Sequence, residues 1–214
     1  MWTYFDRGGP IMWPLLALSV LAATVGIWRW MALRHATRTI GPFMTELRER
    51  VAAGDIAGAI AACDRHGGPV SVIVRAGLTR FGRPRDEVEL SLQDASAHEL
   101  AELERGLPIL ATIAMVAPLL GFLGTVTGMI NSFEALAAVG LNNPAAVASG
   151  ISQALITTAA GLIIAIPVQM AYNYFVTRVN GTVRNMEAAA NLLLDSLSDA
   201  RAQEQPPVPR RAAS

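Results

Sequence analysis

The chain has 214 residues, 52% of them hydrophobic and only 16% charged, with a mean hydropathy of +0.38. Soluble domains carry roughly 25% charged residues, so this composition excludes an ordinary soluble protein and points to an integral membrane protein. Formal net charge is zero, which argues against a nucleic-acid partner, and the single cysteine, Cys63, excludes an internal disulfide. The zero conceals an asymmetry: across residues 107–175 the only formal charge is Glu134, and the rest is concentrated in 34–105 and in the tail.

The first apolar run, residues 11–28, approaches the ~20 residues a helix needs to cross a bilayer core. Trp2, Trp13, Trp28 and Trp30 bracket it, and indole rings favour the membrane interface. Ala22-Ala23 imitates the cleavage site of a signal peptide. A signal peptide, however, carries its positive charge before the apolar stretch; here Asp6 and Arg7 cancel, and Arg29, Arg34 and Arg38 follow it. The run is read as a retained anchor.

Residues 34–105 read as soluble and helical. The stretch 51–62 has apolar residues at spacings of three and four, and Asp86-Glu87-Val88-Glu89-Leu90 opens a second amphipathic stretch. Gly67-Gly68-Pro69 and Gly82-Arg83-Pro84 break the region into short hairpins. Glu99, Glu102 and Glu104 read as a solvated face. The last of these helices runs toward Leu107-Pro108 without an obvious stop, so a single helix continuing from the soluble region into the second apolar run is expected.

That second run, residues 107–138, would measure about 48 Å as a helix and must tilt or protrude. The third, 151–176, is closer to membrane length and ends near Tyr172, Tyr174 and Arg178. Asn142-Asn143-Pro144 between them is a turn signal, because Asn tolerates special backbone angles and Pro resists continuing a helix. The two runs therefore form a hairpin.

Three crossings put the termini on opposite sides. Arg29, Arg34, Arg38, Arg105, Arg178 and Arg184 all flank one side, while the other has Arg7 and an uncharged hairpin loop. The positive-inside rule then puts the N-terminus outside and the C-terminus in the cytoplasm. The expected fold is an all-α membrane protein with three transmembrane helices and long cytoplasmic helical extensions. Its segments are an outer N-terminus at 1–10, spans at 11–30, 107–138 and 151–176, a cytoplasmic helical region at 31–106, an outer turn at 139–150, a cytoplasmic helix at 177–202 and a disordered tail at 203–214.

No enzymatic pattern emerges. His35, His66 and His98 lie outside the apolar runs and are not read as metal ligands. Without any lysine in the chain there can be no Walker-type phosphate loop. No cofactor is expected. The polar groups within the membrane are more informative. Pro118, Gly121, Thr125, Gly128 and Ser132 follow one another at three or four residues and share one face of the second span. Gly150, Ala154, Thr158, Gly161 and Ala165 do the same on the third, with Gln153 and Thr157 on an adjoining strip. Such stripes let helices approach closely in lipid, and a membrane Thr often bonds its own i−4 carbonyl. The alternative is that the two helices line something. Measured along the helices, Thr125 lies about 13 Å below Glu134, and Thr158 about 9–12 Å below the start of the third run, so the two hydroxyls share a depth. None of Thr125, Thr158 or Gln153 titrates in a useful range. If this is an ion path, another chain must supply the titrating carboxylate.

These residues carry a resemblance. Leu107-Pro108-Ile109-Leu110, Ala117-Pro118-Leu119-Leu120-Gly121-Phe122-Leu123-Gly124-Thr125-Val126-Thr127-Gly128-Met129 and Asn131-Ser132-Phe133 resemble the second span of the MotA/TolQ/ExbB proton-channel family. Gly150-Ile151-Ser152-Gln153-Ala154-Leu155, Thr158, Gly161-Leu162, Ala165-Ile166-Pro167 and Tyr172-Asn173 resemble its third. Three spans favour the ExbB and TolQ branch over four-span flagellar stators; an ExbB-like subunit is the first reading and a TolQ-like one the alternative. The resemblance implies an inner-membrane stator: a homo-pentamer around the single spans of two ExbD- or TolR-like chains, whose membrane Asp carries the proton, coupled to a TonB- or TolA-like periplasmic arm. Thr125, Thr158, Gln153 and Thr157 would line the proton path, and Pro118, Gly121, Gly128, Ala154, Gly161 and Ala165 would give the pore face its small residues. Many members have Glu where this chain has Gln153, which can hydrogen-bond but cannot ionise. Dependence on the partner's Asp is correspondingly greater.

Overall fold

The computed structural model describes residues 2–36, 40–140 and 144–204. Among them the chain forms eight helices and no strand. In order these are α1 (Trp2–Gly8), α2 (Met12–Ala36), α3 (Ile40–Ala52), α4 (Ile56–His66), α5 (Pro69–Leu78), α6 (Arg85–Glu104), α7 (Leu107–Val139) and α8 (Pro144–Glu204). Three of them, α2, α7 and α8, contain stretches long and apolar enough to cross a membrane. The chain divides into two compact units, one of residues 1–32 and 104–177 and the other of 33–103 and 178–214.

The first unit contains the apolar helices. Leu15 of α2, Ala117 of α7 and Ala165 of α8 meet in a buried cluster, surrounded by Ile11, Met12, Leu18, Leu120, Ala160 and Ile164. Two of the three central residues are alanines, because helices in lipid gain from close approach rather than from burying bulk. The large side chains point outward: Leu119, Phe122, Leu155, Ile163 and Met170 are all exposed. In water such surface would be a liability, whereas in a bilayer it is the expected solvent face.

The second unit is an ordinary helical core. Leu47, Ala59, Ile73, Val74, Val88 and Leu193 are almost completely buried. Gly77 of α5 lets that helix seat against Leu92 of α6 and Leu193 of α8, whose side chains would collide with a Cβ there. Glu46 accepts from both Arg50 (3.0 Å) and Arg65 (2.7 Å), tying α3 to α4. The imidazole of His66 stacks on Phe43 at 4.4 Å, so this histidine packs against an aromatic ring.

Burial, with the Asp64 carboxylate adding to it and Arg75 opposing, pushes the Cys63 thiol up to about 11. Only the thiolate is a strong nucleophile. Iodoacetamide at pH 8 is therefore expected to leave Cys63 of the folded protein largely unmodified and to label it once the chain is unfolded; equal rates would show that the thiol is open. The sign of the linked pH effect follows. From its ordinary value of 9.0 up to about 11 the folded form holds a proton that the unfolded form has lost. This contribution to stability is intact below about pH 9 and declines as pH climbs toward 11.

The backbone departs from the sequence-based expectations at four places. The helix expected to continue from the soluble region into the second apolar run is interrupted at Arg105 and Gly106. Gly106 has φ +85°, a left-handed conformation that ends α6, and Pro108 sits in the first turn of α7, where its missing N–H costs nothing. The apolar stretch 51–62 is also split. Gly54 turns the chain at φ +73°, and the Asp55 carboxylate caps α4 by accepting from the Gly58 N–H at 2.9 Å. The third long helix begins earlier than expected, at Pro144, so residues 144–150, read as part of a turn, are helical. α8 then runs unbroken for 61 residues, about 90 Å. Finally, of the tail expected from residue 203, Gln203 and Glu204 still belong to α8. Residues 205–214, like Asn142 and Asn143 of the expected turn, lie outside the described residues.

Candidate functional site

The small-residue stripes of α7 and α8 meet within the single chain. A Cβ on Gly121 would lie 3.0 Å from the Thr157 carbonyl oxygen and 3.1 Å from the Thr158 Cα. One on Gly128 would lie 2.6 Å from the Gly150 carbonyl oxygen, and one on Gly161 2.6 Å from that of Ala117. All of these are backbone atoms, which cannot rotate away. A Cβ on Gly124 would strike the Thr157 side chain. Gly121, Gly124 and Gly128, three and four residues apart, thus form the groove into which α8 fits. Ala154 is buried opposite Gly128, and Ala165 is buried against Leu15 and Ala117. Among the small residues expected on a pore face, Gly121, Gly128, Ala154, Gly161 and Ala165 are therefore occupied by helix packing inside the subunit, and only Pro118 is half-buried.

The hydroxyls divide differently. Thr157 is 0% exposed, and its Oγ1 donates to the carbonyls of Gln153 (3.1 Å) and Ala154 (2.9 Å). Thr125 and Thr158 are half-buried and keep part of their surface open. Thr125 Oγ1 donates to the Phe122 carbonyl at 2.6 Å, and Thr158 Oγ1 crosses between helices to the Gly121 carbonyl at 3.0 Å. The structure thus brings Thr158 against the turn of α7 that precedes Thr125. Sequence depth alone had placed these residues at one level without revealing that a hydrogen bond links the two helices there.

Gln153 is half-buried near the N-terminal part of α8. Its Oε1 accepts from Asn131 Nδ2 at 3.4 Å, and its Nε2 occupies the space that a Cβ on Gly9 would need. The side chain therefore joins α7, α8 and the corner between α1 and α2. Asn131 was missed as a site residue, although an amide in a membrane helix is itself a signal. Ser132 was read only as part of the stripe; its Oγ lies 3.0 Å from both the Gly128 and Val147 carbonyls and ties the two helices near the hairpin end. Glu134 is exposed. Among the described residues no group of His, Cys, Asp or Glu could hold a metal ion.

A three-helix membrane unit whose two longest helices pair through glycines and carry hydroxyls at one level defines the class of protein. The profile of the MotA/TolQ/ExbB proton channel family matches residues 66–188, more than half of the chain. The chain is 35% identical over 198 residues to the Tol-Pal system protein TolQ of Pseudomonas aeruginosa, covering 83% of this chain and 84% of that one. It is 34% identical over 185 residues to a putative biopolymer transport protein ExbB homolog of Methanothermobacter thermautotrophicus, covering 86% of this chain. Here it spans only 65% of the relative's length. Against the biopolymer transport protein ExbB of Pseudomonas putida it is 38% identical over 111 residues, 51% of this chain and 34% of that one. The chain belongs to the MotA/TolQ/ExbB proton channel family. It is a multi-pass membrane protein of the ExbB/TolQ type, and relatives of both names match it.

Proposed function

We propose that the chain is the proton-channel stator subunit of an inner-membrane energy-transducing complex, with five copies surrounding the single transmembrane helices of two ExbD- or TolR-like chains. Proton flow into the cell through this assembly would drive a TonB- or TolA-like periplasmic arm. The N-terminus would face the periplasm and the C-terminus the cytoplasm, as the arginine distribution favours. The observation that carries this reading is a pair of partly open hydroxyls, Thr125 and Thr158, on paired helices where residues 107–175 hold no charge but Glu134. A proton path needs a titrating group in the membrane, and a partner helix with an Asp supplies it.

An ExbB-like role in outer-membrane transport is the first choice, and a TolQ-like role in envelope integrity and division is its counterpart. The TolQ relative, which covers most of both chains, supports the second, and the ExbB-named relatives support the first. Neighbouring genes separate them: a TonB-like gene beside this one favours transport, a Tol-Pal set favours envelope integrity. A non-conducting membrane scaffold is the reading favoured by the glycine packing alone. Coexpression with the single-span partner, purification in detergent and native mass spectrometry tests the main reading. The expected result is a stable complex of five copies of this chain with two of the partner; a chain that purifies alone, or with a partner that has no membrane carboxylate, overturns it.

A further inference from the structure

Two polar side chains in the third apolar run stand apart from the small-residue stripe. Gln169 and Asn173 are both exposed, and Gln169 Nε2 donates to Asn173 Oδ1 at 3.1 Å. That bond uses one donor and one acceptor, and the other amide groups of the two side chains have no partner among the described residues. Thr112 and Thr177, also exposed, donate instead to carbonyls of their own helices, those of Pro108 (2.8 Å) and Asn173 (2.9 Å). A hydroxyl can satisfy itself in this way and tolerate lipid. A side-chain amide carries two donors and an acceptor, more than one such bond can occupy.

Helix geometry fixes the face on which the amides lie. Gln169 follows Thr158 by three full turns and about 20°, and Asn173 is about 40° further round. Ile163 and Met170 project more than about 90° away from Gln169 and are 71% and 69% exposed. The amides thus share the side of Thr158, while the large apolar side chains suited to lipid lie round from it. Between Thr158 and Gln169, over about 16 Å of helix, the large exposed side chains on this side are Leu162 and Ile166. Gln169 itself lies about 10 Å from Val176 at the end of the run. From there Gln169, Asn173 and Thr177, four residues apart and all exposed, carry polarity without interruption to the end of the span. Unpartnered amides are costly in hydrocarbon, so an exposed pair within a span faces protein or water; a polar strip continuous with the aqueous end of the span commits this one to water.

We propose that Gln169 and Asn173 line a water-filled recess that enters the membrane from the cytoplasmic side, and that Leu162 and Ile166 close it off from the polar belt of Thr125 and Thr158. Apolar constrictions exclude water, so this collar keeps the recess from becoming a continuous aqueous leak. That the recess opens to the cytoplasm and receives protons rests on the stator reading above; that the face is wet rests on the amides.

Cysteine accessibility tests this in membrane vesicles carrying the chain with its single-span partner. In a Cys63→Ala background, Gln169→Cys, Asn173→Cys, Met170→Cys and Leu162→Cys are each treated with a membrane-impermeant methanethiosulfonate. Met170 lies within about 1.5 Å of the depth of Gln169 but on another face, and so controls for depth. In inverted vesicles, whose cytoplasmic side meets the reagent, Gln169→Cys and Asn173→Cys are expected to react at least about tenfold faster than Met170→Cys and Leu162→Cys, because only a hydrated thiolate reacts. Snorkelling of the long amide to the headgroups does not imitate this result, since the shorter cysteine would remain in hydrocarbon. Equal rates for Gln169→Cys and Met170→Cys overturn the wet face, and Asn173→Cys against Met170→Cys decides the same point should Gln169→Cys fail to fold. A Leu162→Cys protein as reactive as Gln169→Cys overturns the collar, and reaction only in right-side-out vesicles overturns the cytoplasmic opening. Native mass spectrometry of the same samples separates the two readings: a chain that binds no partner removes the stator, while the contrast between positions 169 and 170 still reports the face.

Discussion

Alanine at position 128 is expected to destabilise the protein by about 1–3 kcal/mol, the range for forcing one extra carbon into a packed interface, and leucine by more. Its Cβ would meet the Gly150 carbonyl oxygen at 2.6 Å and both the backbone nitrogen and Cβ of Ala154 at 2.9 Å. No rotamer relieves a clash with backbone, so α7 and α8 must separate. Separation costs every contact of the seam, including the Thr158 to Gly121 bond and the Ser132 bridge. Gly26→Ala is the control: it lies within α2 with nothing within 4 Å of its Cβ. Alanine there is expected to be neutral or to stabilise by up to about 1 kcal/mol through helix propensity. Unfolding in mixed detergent, followed by circular dichroism, measures both variants. A Gly128→Ala protein as stable as the native one would show that the helices do not pack at this distance.

The second large effect is functional. Thr158→Val preserves shape but removes the hydroxyl, and with it one hydrogen bond between helices. Such bonds in membrane proteins average about 0.6 kcal/mol and reach about 1.7, too little to dismantle a seam built from glycines. Folding and complex formation are therefore expected to persist, while proton-driven activity falls by at least about tenfold, a barrier increase near 1.4 kcal/mol. Proton flux in vesicles containing the complex with its partner checks this. Full flux in a Thr158→Val complex would count against any role for the polar belt. Thr157→Val makes a useful contrast, since Thr157 is fully buried and bonded to backbone; its effect should fall on stability rather than flux.

Gly121, Gly128 and Gly161 show how far sequence reasoning reached in the membrane. Their spacing placed each on one helix face, and the geometry of a helix dictates nothing less. What that face touches is a long-range matter, decided by whichever surface packs against it, and the α7–α8 seam uses most of it. Thr157 and Thr158 illustrate the same limit at adjacent positions: one helical step of 100° takes the side chain from full burial to half-burial. The break at Gly106 was missed for another reason. A lone glycine before Leu107-Pro108 fits a continuing helix or a stop, and φ alone distinguishes the two.

By itself the sequence determined the class of this protein, because hydropathy and chain length answer directly to the thickness and polarity of a bilayer. It also determined that residues 107–175 hold a single charge, since composition is independent of folding. Only the tertiary structure decided which small residues are occupied within the subunit and which hydroxyls stay open. Only it gave the Thr158 hydroxyl its partner, because a hydrogen bond between helices joins groups 37 positions apart and leaves no trace in local pattern.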